Sequence, residues 1–276
     1  MRKERNLLKV MVFSLFFASV SILFATETTP GNLSSAGKTA GERRVITVKG
    51  VEYAFRWCPP GNFEMGSPKE EQWRGSDEQL HTVRLTHGFW LLETEVTQEM
   101  WESVMGKNPS DFYKGGITKL YPVECVSWVD CQAFCKKLSA LSNAGTFRLP
   151  SEAQWEYACR AGSTGAYGGT GKLDEMGWCD DYRGRTHEVK RKKANAWGFY
   201  DMHGNVWEWC SDWYGSAYYE NWVSDDPVGP ENGTCRVLRG GSWFSDARNC
   251  RSAGRSGSAP DYRDSNFGFR VALQQQ

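Results

Sequence analysis

The segment from Arg236 to Leu273 contains no Lys, Glu, Gln or Met, although Lys and Glu are frequent earlier in the chain. At ordinary residue usage, a segment of this length should carry several of them. It begins RVLRGGSW and ends NFGFRVAL, and both ends alternate apolar positions as strands do. The residues between are mostly Ser, Gly, Asp, Arg, Asn and Ala, which predicts a polar loop. Two interpretations stay open: a recognition surface on a rigid scaffold, or an ordinary long surface loop.

Long apolar runs are also missing after the N-terminus. The run from Val10 to Phe24 follows several basic residues and precedes the small Ala25. It is shorter than the ~20 residues that a bilayer span needs, so residues 1–25 are predicted to be a secretory signal peptide and no membrane span is expected. We therefore expect export to the periplasm, the cell surface or the medium. Residues 26–44 are small and polar, which predicts a flexible tether, and residues 45–273 suffice for one large domain.

Neither charge sign is in excess, because 33 basic residues balance 33 acidic ones. This balance gives no indication of a nucleic-acid partner. The nine cysteines include no CxxC pair of the metal-binding type. Cys131, Cys135, Cys159 and Cys210 stand at apolar positions, which favours buried thiols. Disulfides are the alternative, and the odd count would leave at least one cysteine unpaired.

A few regular elements can be placed along the chain. Residues 45–57 alternate around a Lys-Gly turn and predict a β-hairpin, and residues 81–93 predict a further strand. Thr97, Ser127 and Ser151 each precede a helical pattern that they can cap. Three helices among strands and much irregular chain indicate an α+β fold.

Six motifs occur in one order: GNFEMGS, EVTQEMW, YPVECVSWVDCQAFCKKLS, FRLPSEAQWEYACRAG, NAWGFYDMHGNVWEWCSDWY and RVLRGGSW with its continuation to GFRVAL. Together they resemble the formylglycine-generating enzyme, or sulfatase-modifying factor, family over nearly the whole of residues 45–273. The resemblance implies a C-type-lectin-like fold. It leaves the function open, because one scaffold can host several activities.

The family's oxidase uses copper held by two cysteines after the RGGS motif. Here the second position matches Cys250, but the first falls on Ser245. A hydroxyl is a poor ligand for Cu(I), so neither copper nor copper-dependent oxidation is expected. A related branch of the superfamily uses iron bound by clustered His in an additional domain. Only His81 and His87 form a close pair here, at a spacing that places both on one face of a strand, and no iron is expected.

A third resemblance accounts for the unusual composition. The C-terminal segment is similar to the variable region of diversity-generating retroelement target proteins, which use this fold. In those systems, adenines in a template are randomised, so an Asn codon that ends in C can become any other codon that ends in C. Lys, Glu, Gln, Met and Trp have no such codon and cannot be produced in this way. Residues 243–270 would form the variable region. The matching variable positions all carry reachable residues: Phe244, Ser245, Asp246, Arg248, Asn249, Gly254, Ser256, Gly257, Ser258, Ala259, Tyr262, Asp264, Ser265, Asn266 and Phe267.

The motif YDMHGNVWEW resembles a calcium loop of the family. The matching positions offer the carboxylates of Asp201 and Glu208 and the backbone carbonyls of Gly204 and Val206. Hard oxygen ligands on a glycine-bearing loop suit Ca²⁺, and we expect a structural ion. The alternative is a metal-free loop in which Glu208 accepts backbone amides.

These resemblances imply an exported, non-catalytic protein that binds a variable protein or cell-surface ligand, and we expect it to be a monomer. The variable positions should be mostly exposed on one contiguous face, with Trp243, Cys250 and Phe269 buried beneath. The alternative is an enzyme of the sulfatase-modifying factor family.

Overall fold

The computed structural model describes residue 33 and residues 35–113, 119–180, 184–220 and 224–274. The strands are β1 (Arg43–Val48), β2 (Val51–Cys58), β3 (Gly61–Met65), β4 (His81–Leu85), β5 (Phe89–Leu92), β6 (Phe147–Arg148), β7 (Trp207–Trp213), β8 (Arg236–Arg239), β9 (Arg255–Ser258), β10 (Phe267–Gly268) and β11 (Ala272–Gln274). The α-helices are α1 (Gln98–Met105), α2 (Trp128–Ser142), α3 (Glu152–Arg160) and α4 (Leu173–Met176), and Tyr218–Glu220 and Ala247–Cys250 are 3-10 turns. The predicted α+β class is confirmed.

The helices begin where the sequence predicts. Thr97, Ser127 and Ser151 each accept a hydrogen bond from the backbone amide three residues on, and a reciprocal contact completes a capping box at each end. The apolar faces of α1 and α2 then meet. The rings of Trp101 and Phe134 stack with centroids 5.4 Å apart. Helix packing is therefore fixed partly by aromatic contacts.

The largest sheet has the strand order β1-β2-β5-β11-β6. The predicted hairpin is confirmed, with β1 and β2 paired across Lys49 and Gly50. β5 lies between β2 and the C-terminal strand β11, antiparallel to both. The end of the chain is thus built into the middle of the main sheet.

A second sheet has the order β10-β7-β8-β9 and carries much of the C-terminal segment. β7 and β8 pair antiparallel, and β8 pairs antiparallel with the edge strand β9. The row Gly268–Glu208–Arg239–Arg255 crosses all four strands. This sheet is the frame on which the predicted variable positions are mounted.

Some predicted strands were wrong in extent. The strand predicted over residues 81–93 is two strands, β4 and β5, in different sheets. Between the two strands, the Thr86 amide donates a hydrogen bond to the carboxylate of Asp226 instead of to a neighbouring strand. The chain also passes close to the Trp57 ring at Gly88, where a Cβ would come within 2.2 Å of that ring. The C-terminal apolar run likewise divides into β10 and β11. β9 occupies a stretch that was predicted to be loop.

The predicted tether is also partly wrong. Residues 35–44 pack against the domain, and β1 already begins at Arg43. The Trp90 indole donates to the carbonyl of Ser35 at 3.2 Å, and the Gly41 amide donates to the carbonyl of Trp57 at 2.9 Å. The rest of the predicted tether and the predicted signal peptide fall outside the described residues, apart from the buried Leu33. Across the described ranges, no helix has the length and apolar character needed to cross a bilayer.

A buried ion network joins α3 to the second sheet. The Arg239 guanidinium is fully buried and donates to Glu152 at 3.1 Å and to Glu156 at 2.5 Å. Arg255 donates to the same Glu152 through two nitrogens, at 2.6 and 2.9 Å. Burial would by itself raise the pKa of Glu152, but Arg255 and Arg239 hold it below its ordinary value. Each of these buried charges is therefore compensated.

We predict that Arg239→Gln lowers the free energy of unfolding by about 3–5 kcal/mol, because it leaves buried carboxylates without their cation. The matched control is Arg84→Gln. Arg84 pairs with Asp225 on the surface, where an ion pair contributes little to stability. Urea unfolding followed by tryptophan fluorescence measures both, and similar losses in the two variants would contradict the structural role of the network.

Candidate functional site

The predicted variable positions differ in their exposure. The exposed ones are Phe244, Asp246, Arg248, Ala259 and Tyr262. The half-buried ones are Asn249, Ser256, Gly257, Ser258, Asp264, Ser265, Asn266 and Phe267. Ser245 and Gly254 are buried. Most of the positions are thus accessible from solvent to some degree.

Trp243 connects two parts of this surface. Its side chain is buried, its ring centroid lies 5.4 Å from that of the exposed Phe244, and its indole donates to the Ser265 carbonyl at 3.3 Å. The ring of Phe112 packs edge to face against that of Trp243, with centroids 5.6 Å apart. Trp243 therefore fixes the stretch that carries Phe244 against the stretch that carries Ser265. The prediction that Trp243 is buried is confirmed.

The exposed side chains make few contacts, mostly with nearby residues of the same segment. Phe244 is 74% exposed and Tyr262 is 50% exposed. Arg248 and Asp246 form an exposed ion pair at 2.6 Å, and the Tyr262 hydroxyl donates to Asp264 at 3.2 Å. Exposed pairs of this kind contribute little to stability. Their replacement would therefore leave the fold largely unaffected.

Phe267 and β9 lie at opposite edges of the second sheet. The Phe267 ring is half-buried and packs edge to face against Trp209, with centroids 5.4 Å apart. Residues 256–258 lie on β9, three strand spacings away, or about 14 Å. The positions on β9 are thus set apart from Phe267, and Phe267 serves the core as well as the surface.

Two of the predicted variable positions are buried, Ser245 and Gly254. The Ser245 hydroxyl lies 2.9 Å from that of Ser242 and accepts from the Ser242 amide at 3.1 Å. A Cβ on Gly254 would come within 2.8 Å of the Asn249 carbonyl oxygen. Neither position can take a large side chain without a backbone shift. Sequence resemblance cannot show this, because both residues look like ordinary loop residues.

Framework residues hold the surface from below. Cys250 and Phe269 are fully buried, as predicted. The Arg251 guanidinium is also buried and donates to Glu78 at 2.5 and 2.7 Å and to Glu71 at 2.7 Å. Glu71 and Glu78, which are distant from Arg251 in the sequence, thereby fix the position of the 3-10 turn that ends at Cys250.

The second thiol near Cys250 comes from an unexpected place. The nine cysteines are all free, and the side chain of Cys250 lowers the pKa of Cys179. The sequence gives no signal for this pair, because 70 residues separate the two and Cys179 lies in no recognisable motif. The position that the family's first copper cysteine would occupy remains the buried Ser245. The predicted burial of Cys131, Cys135, Cys159 and Cys210 is confirmed.

Both carboxylates of the predicted calcium loop accept hydrogen bonds from other residues of the protein. Asp201 is buried with a left-handed backbone (φ 57°), and its Oδ2 accepts from the Lys190 amide at 2.8 Å. Both oxygens of Glu208 accept hydrogen bonds from Arg270 at 2.6 Å, and one also accepts from the Trp155 indole. In the metal-free alternative Glu208 would accept backbone amides, but its partners here are the side chains of Arg270 and Trp155.

A third carboxylate, missed by the sequence reasoning, lies near these two. Glu95 is completely buried, and neither of its oxygens has a hydrogen-bond partner beyond its own residue; Oδ1 of Asp201 also lacks one. Burial raises the pKa of Glu95 well above its ordinary value, and the charges of Asp201 and Glu208 raise it further. Burial likewise raises the pKa of Asp201 to about 6. Unpartnered buried carboxylate oxygens need either protons or a cation. Carboxylate oxygens are the ligands that a hard cation such as Ca²⁺ prefers.

His81 and His87, the close pair in the sequence, lie in different surroundings. His81 is buried at the start of β4 with its ring 4.4 Å from that of Tyr219, whereas His87 is exposed beyond the end of that strand. The predicted shared strand face is therefore wrong. Within the described ranges, the group of potential ligands close enough to share one ion is Asp111, Glu124 and Cys125, which contains no histidine. Glu124 there already accepts the amides of Asp111 and Phe112, each at 3.0 Å.

The chain is similar to two proteins of known structure and to a curated enzyme. Treponema denticola variable protein 1 superposes with a TM-score of 0.76 at 35% identity, covering 84% of this chain and 99% of that one. PvdO from Pseudomonas aeruginosa superposes with a TM-score of 0.75 at 28% identity, covering 86% and 100%. The formylglycine-generating enzyme of Streptomyces coelicolor is 40% identical over 171 residues, which are 55% of this chain and 52% of that protein. The chain thus spans about half the length of that curated relative.

These likenesses confirm the C-type-lectin-like fold of the formylglycine-generating type. They also support the relation to variable proteins. Residues 50–275 match the family described as the Sulfatase-modifying factor enzyme 1-like domain. With a match over most of its length, the chain belongs to the sulfatase-modifying factor family.

Proposed function

We propose that this protein is an exported, non-catalytic binding protein that displays a diversified surface to a variable protein or cell-surface ligand. The observation that carries the proposal is the combination of exposed variable positions with a buried frame. Phe244 and Tyr262 project into solvent, while Trp243, Cys250 and Phe269 beneath them are buried. The likeness to Treponema denticola variable protein 1 over most of both chains supports this choice.

The exposed residues suit recognition. Large aromatic side chains supply contact area at a low cost in conformational entropy, and they often dominate binding energy. Phe244 and Tyr262 are the natural anchors for that reason. Asp246, Arg248 and Asp264 would select the charge pattern of the ligand. Phe267 would contribute through its exposed edge, since its other side packs against Trp209.

The frame would hold the surface without help from the exposed variable side chains. Arg239 and Arg251 are buried and pair with glutamates outside the C-terminal segment. Gly268 is also fixed, because a Cβ there would come within 2.7 Å of the Val123 carbonyl oxygen. None of these contacts uses the side chain of a predicted variable position.

We further propose that a structural Ca²⁺ binds where Glu95 and Asp201 leave carboxylate oxygens unpartnered. Gly204 and Val206 would add backbone carbonyls, as the family resemblance implies. Glu208 would lie beside the ion while Arg270 holds its carboxylate in place. The ion would neutralise charge that is otherwise buried without compensation.

The alternative function is an enzyme of the family, and one observation favours it. Cys179 places a second thiol beside Cys250, although not at the position of Ser245. Two neighbouring thiols can bind a soft metal such as Cu(I). The likeness to a formylglycine-generating enzyme also keeps this possibility open.

Sequences of this gene from sister isolates should differ mainly at the predicted variable positions. Cys250, Arg251 and Gly268 should stay unchanged, and the buried Ser245 and Gly254 should vary less than Phe244 or Tyr262. Sequencing the locus also shows whether a reverse transcriptase and an adenine-rich near-copy of this segment lie nearby. Differences spread evenly over residues 47–273 would refute diversification.

Replacing the exposed aromatic residues should leave the fold intact. Phe244→Ala and Tyr262→Ala should change the melting temperature by no more than ~2 °C, because surface changes usually stay within ~0.5 kcal/mol. Phe269→Ala is the matched control, and its buried ring should cost ~3–5 kcal/mol, or roughly 10 °C. Differential scanning fluorimetry compares the three variants, and an equal loss for Phe244→Ala would place that ring in the structural frame.

Calcium should raise the melting temperature of the wild-type protein relative to the same protein in a calcium chelator. Asp201→Asn and Glu95→Gln should each reduce this difference, since each removes a charged ligand. Glu231→Gln serves as a control, because it removes an exposed acidic side chain outside the proposed site and outside the Asp111–Glu124–Cys125 group. If calcium has no effect on the wild type, the unpartnered oxygens are protonated instead.

Purified protein incubated with copper and a peptide containing Cys-x-Pro-x-Arg should form no formylglycine above background. Mass spectrometry of the peptide detects the aldehyde. Turnover that disappears in both Cys250→Ala and Cys179→Ala would establish the enzyme alternative, with Cys179 in place of the missing cysteine.

A further inference from the structure

The loop between β3 and β4 presents a tryptophan to solvent. Trp73 is 54% exposed, which is slightly more than Tyr262, and its backbone is left-handed with φ 64°. A bulky residue rarely adopts that conformation, and such strain persists only where the surrounding structure imposes it. Neither exposure nor strain stabilises the fold, so a role outside folding is expected for this side chain.

The β3–β4 loop is closed by its own hydrogen bonds. The Ser67 amide donates to the Glu78 carbonyl at 2.9 Å, next to the two ends of the loop. The Arg74 amide donates to the Glu71 carbonyl at 3.2 Å, and the Arg74 guanidinium donates to the Ser67 carbonyl at 3.1 Å. These bonds surround Trp73 in the chain, and they fix the backbone from which its indole projects.

One buried guanidinium joins Trp73 to the predicted variable region. Nη2 of Arg251 donates to the Trp73 carbonyl at 2.9 Å, and Nε donates to the Arg248 carbonyl at 2.9 Å. Because the donors of a guanidinium are fixed in one plane, the two backbones that it binds are neighbours. Trp73 is thus positioned beside the turn that carries the exposed Asp246 and Arg248.

A second contact holds the same loop to the edge strand β9. The Arg255 guanidinium donates to the Asp77 carbonyl at 2.9 Å, and the Tyr214 hydroxyl donates to the Asp77 carboxylate at 2.7 Å. The positions that follow Arg255 on β9 are predicted variable positions. The β3–β4 loop therefore borders the variable region at two places, the 3-10 turn and β9.

The loop offers side chains that the variable positions cannot acquire. Lys, Glu, Gln and Trp have no codon that ends in C, yet the loop contains all four. Lys69, Glu70 and Gln72 are exposed together with Trp73. Tryptophan is among the residues that most often dominate the binding energy of protein interfaces. A fixed tryptophan beside the variable positions would supply what randomisation of those positions cannot.

We propose that Trp73 is a fixed anchor of the binding surface, which contacts a folded protein ligand while the neighbouring variable residues select that ligand. This inference rests on the proposed function. The exposed rings of Trp73, Phe244 and Tyr262, together with Arg248, give the aromatic and arginine-rich composition that is enriched in protein interfaces. The anchor would add affinity to every variant, and the variable residues would add specificity.

The test displays the full chain on phage, with positions 244, 246, 248, 259 and 262 each encoded by NNC, and selects binders to lysozyme as the probe. Trp73→Asn is then introduced into each selected clone, because Asn tolerates a left-handed backbone. We expect the Kd for lysozyme to rise at least ~10-fold, as on removal of a hot-spot side chain. The melting temperature should change by no more than ~2 °C, since the side chain is exposed.

Leu141→Asn is the matched control. Leu141 is an exposed apolar residue in the last turn of α2. It lies roughly 18 Å along the helix from Val129, whose amide donates to the Pro260 carbonyl in the variable region. The Kd for lysozyme should therefore be unchanged in Leu141→Asn.

Two further variants complete the test. Trp73→Tyr keeps an aromatic ring and should retain most of the affinity, whereas Trp73→Gly should lose it and replaces Trp73→Asn if that variant does not fold. Selected clones whose Kd is unaffected by the loss of the indole would overturn the anchor and leave the proposed function standing. A folded library that yields no binder would overturn the proposed function, and the anchor with it.

Discussion

The buried guanidinium of Arg239 is the constraint on which the rest of the frame depends. It lies between two glutamates of α3 and also donates to the carbonyls of Ser252 and Ala253 at 2.6 and 3.2 Å. Burial by itself would lower its pKa, but Glu156 and Glu152 raise it above the ordinary value. One charged group thus fixes the positions of α3, β8 and residues 252–253 relative to one another. Such a network specifies geometry more than it adds net stability.

The same principle recurs along the C-terminal segment. Arg251 and Arg270 are also buried and meet Glu78 and Glu208, which lie outside the segment. Arg248, in contrast, is exposed and pairs with the equally exposed Asp246, two residues earlier. Arginine therefore has two separate uses within one short stretch. Inward-facing arginines hold the loop, and an outward-facing one is available to a ligand.

Helix starts and fold class could be predicted, because Thr97, Ser127 and Ser151 act through local hydrogen bonds. Strand limits could not, since the break between β4 and β5 depends on contacts from Asp226 and Trp57. Exposure of Phe244 and Tyr262 agreed with the resemblance. Three site features required tertiary structure: the burial of Ser245 and Gly254, the unpartnered carboxylate of Glu95, and the approach of Cys179 to Cys250. The carboxylate of Glu95 and the two thiols belong to segments whose meeting leaves no local pattern in the sequence.

The tight packing around Gly254 has a consequence for the repertoire of a diversified surface. Coding variation at a position multiplies the number of possible sequences, but only folded molecules can be selected for binding. A side chain at position 254 would press on the Asn249 carbonyl, and Gly257 similarly lies against Tyr214, with 2.9 Å between a built Cβ and the ring. The usable repertoire would therefore be concentrated at positions such as 244, 246, 248, 259 and 262. Selection for folding would act on each new variant before any ligand does.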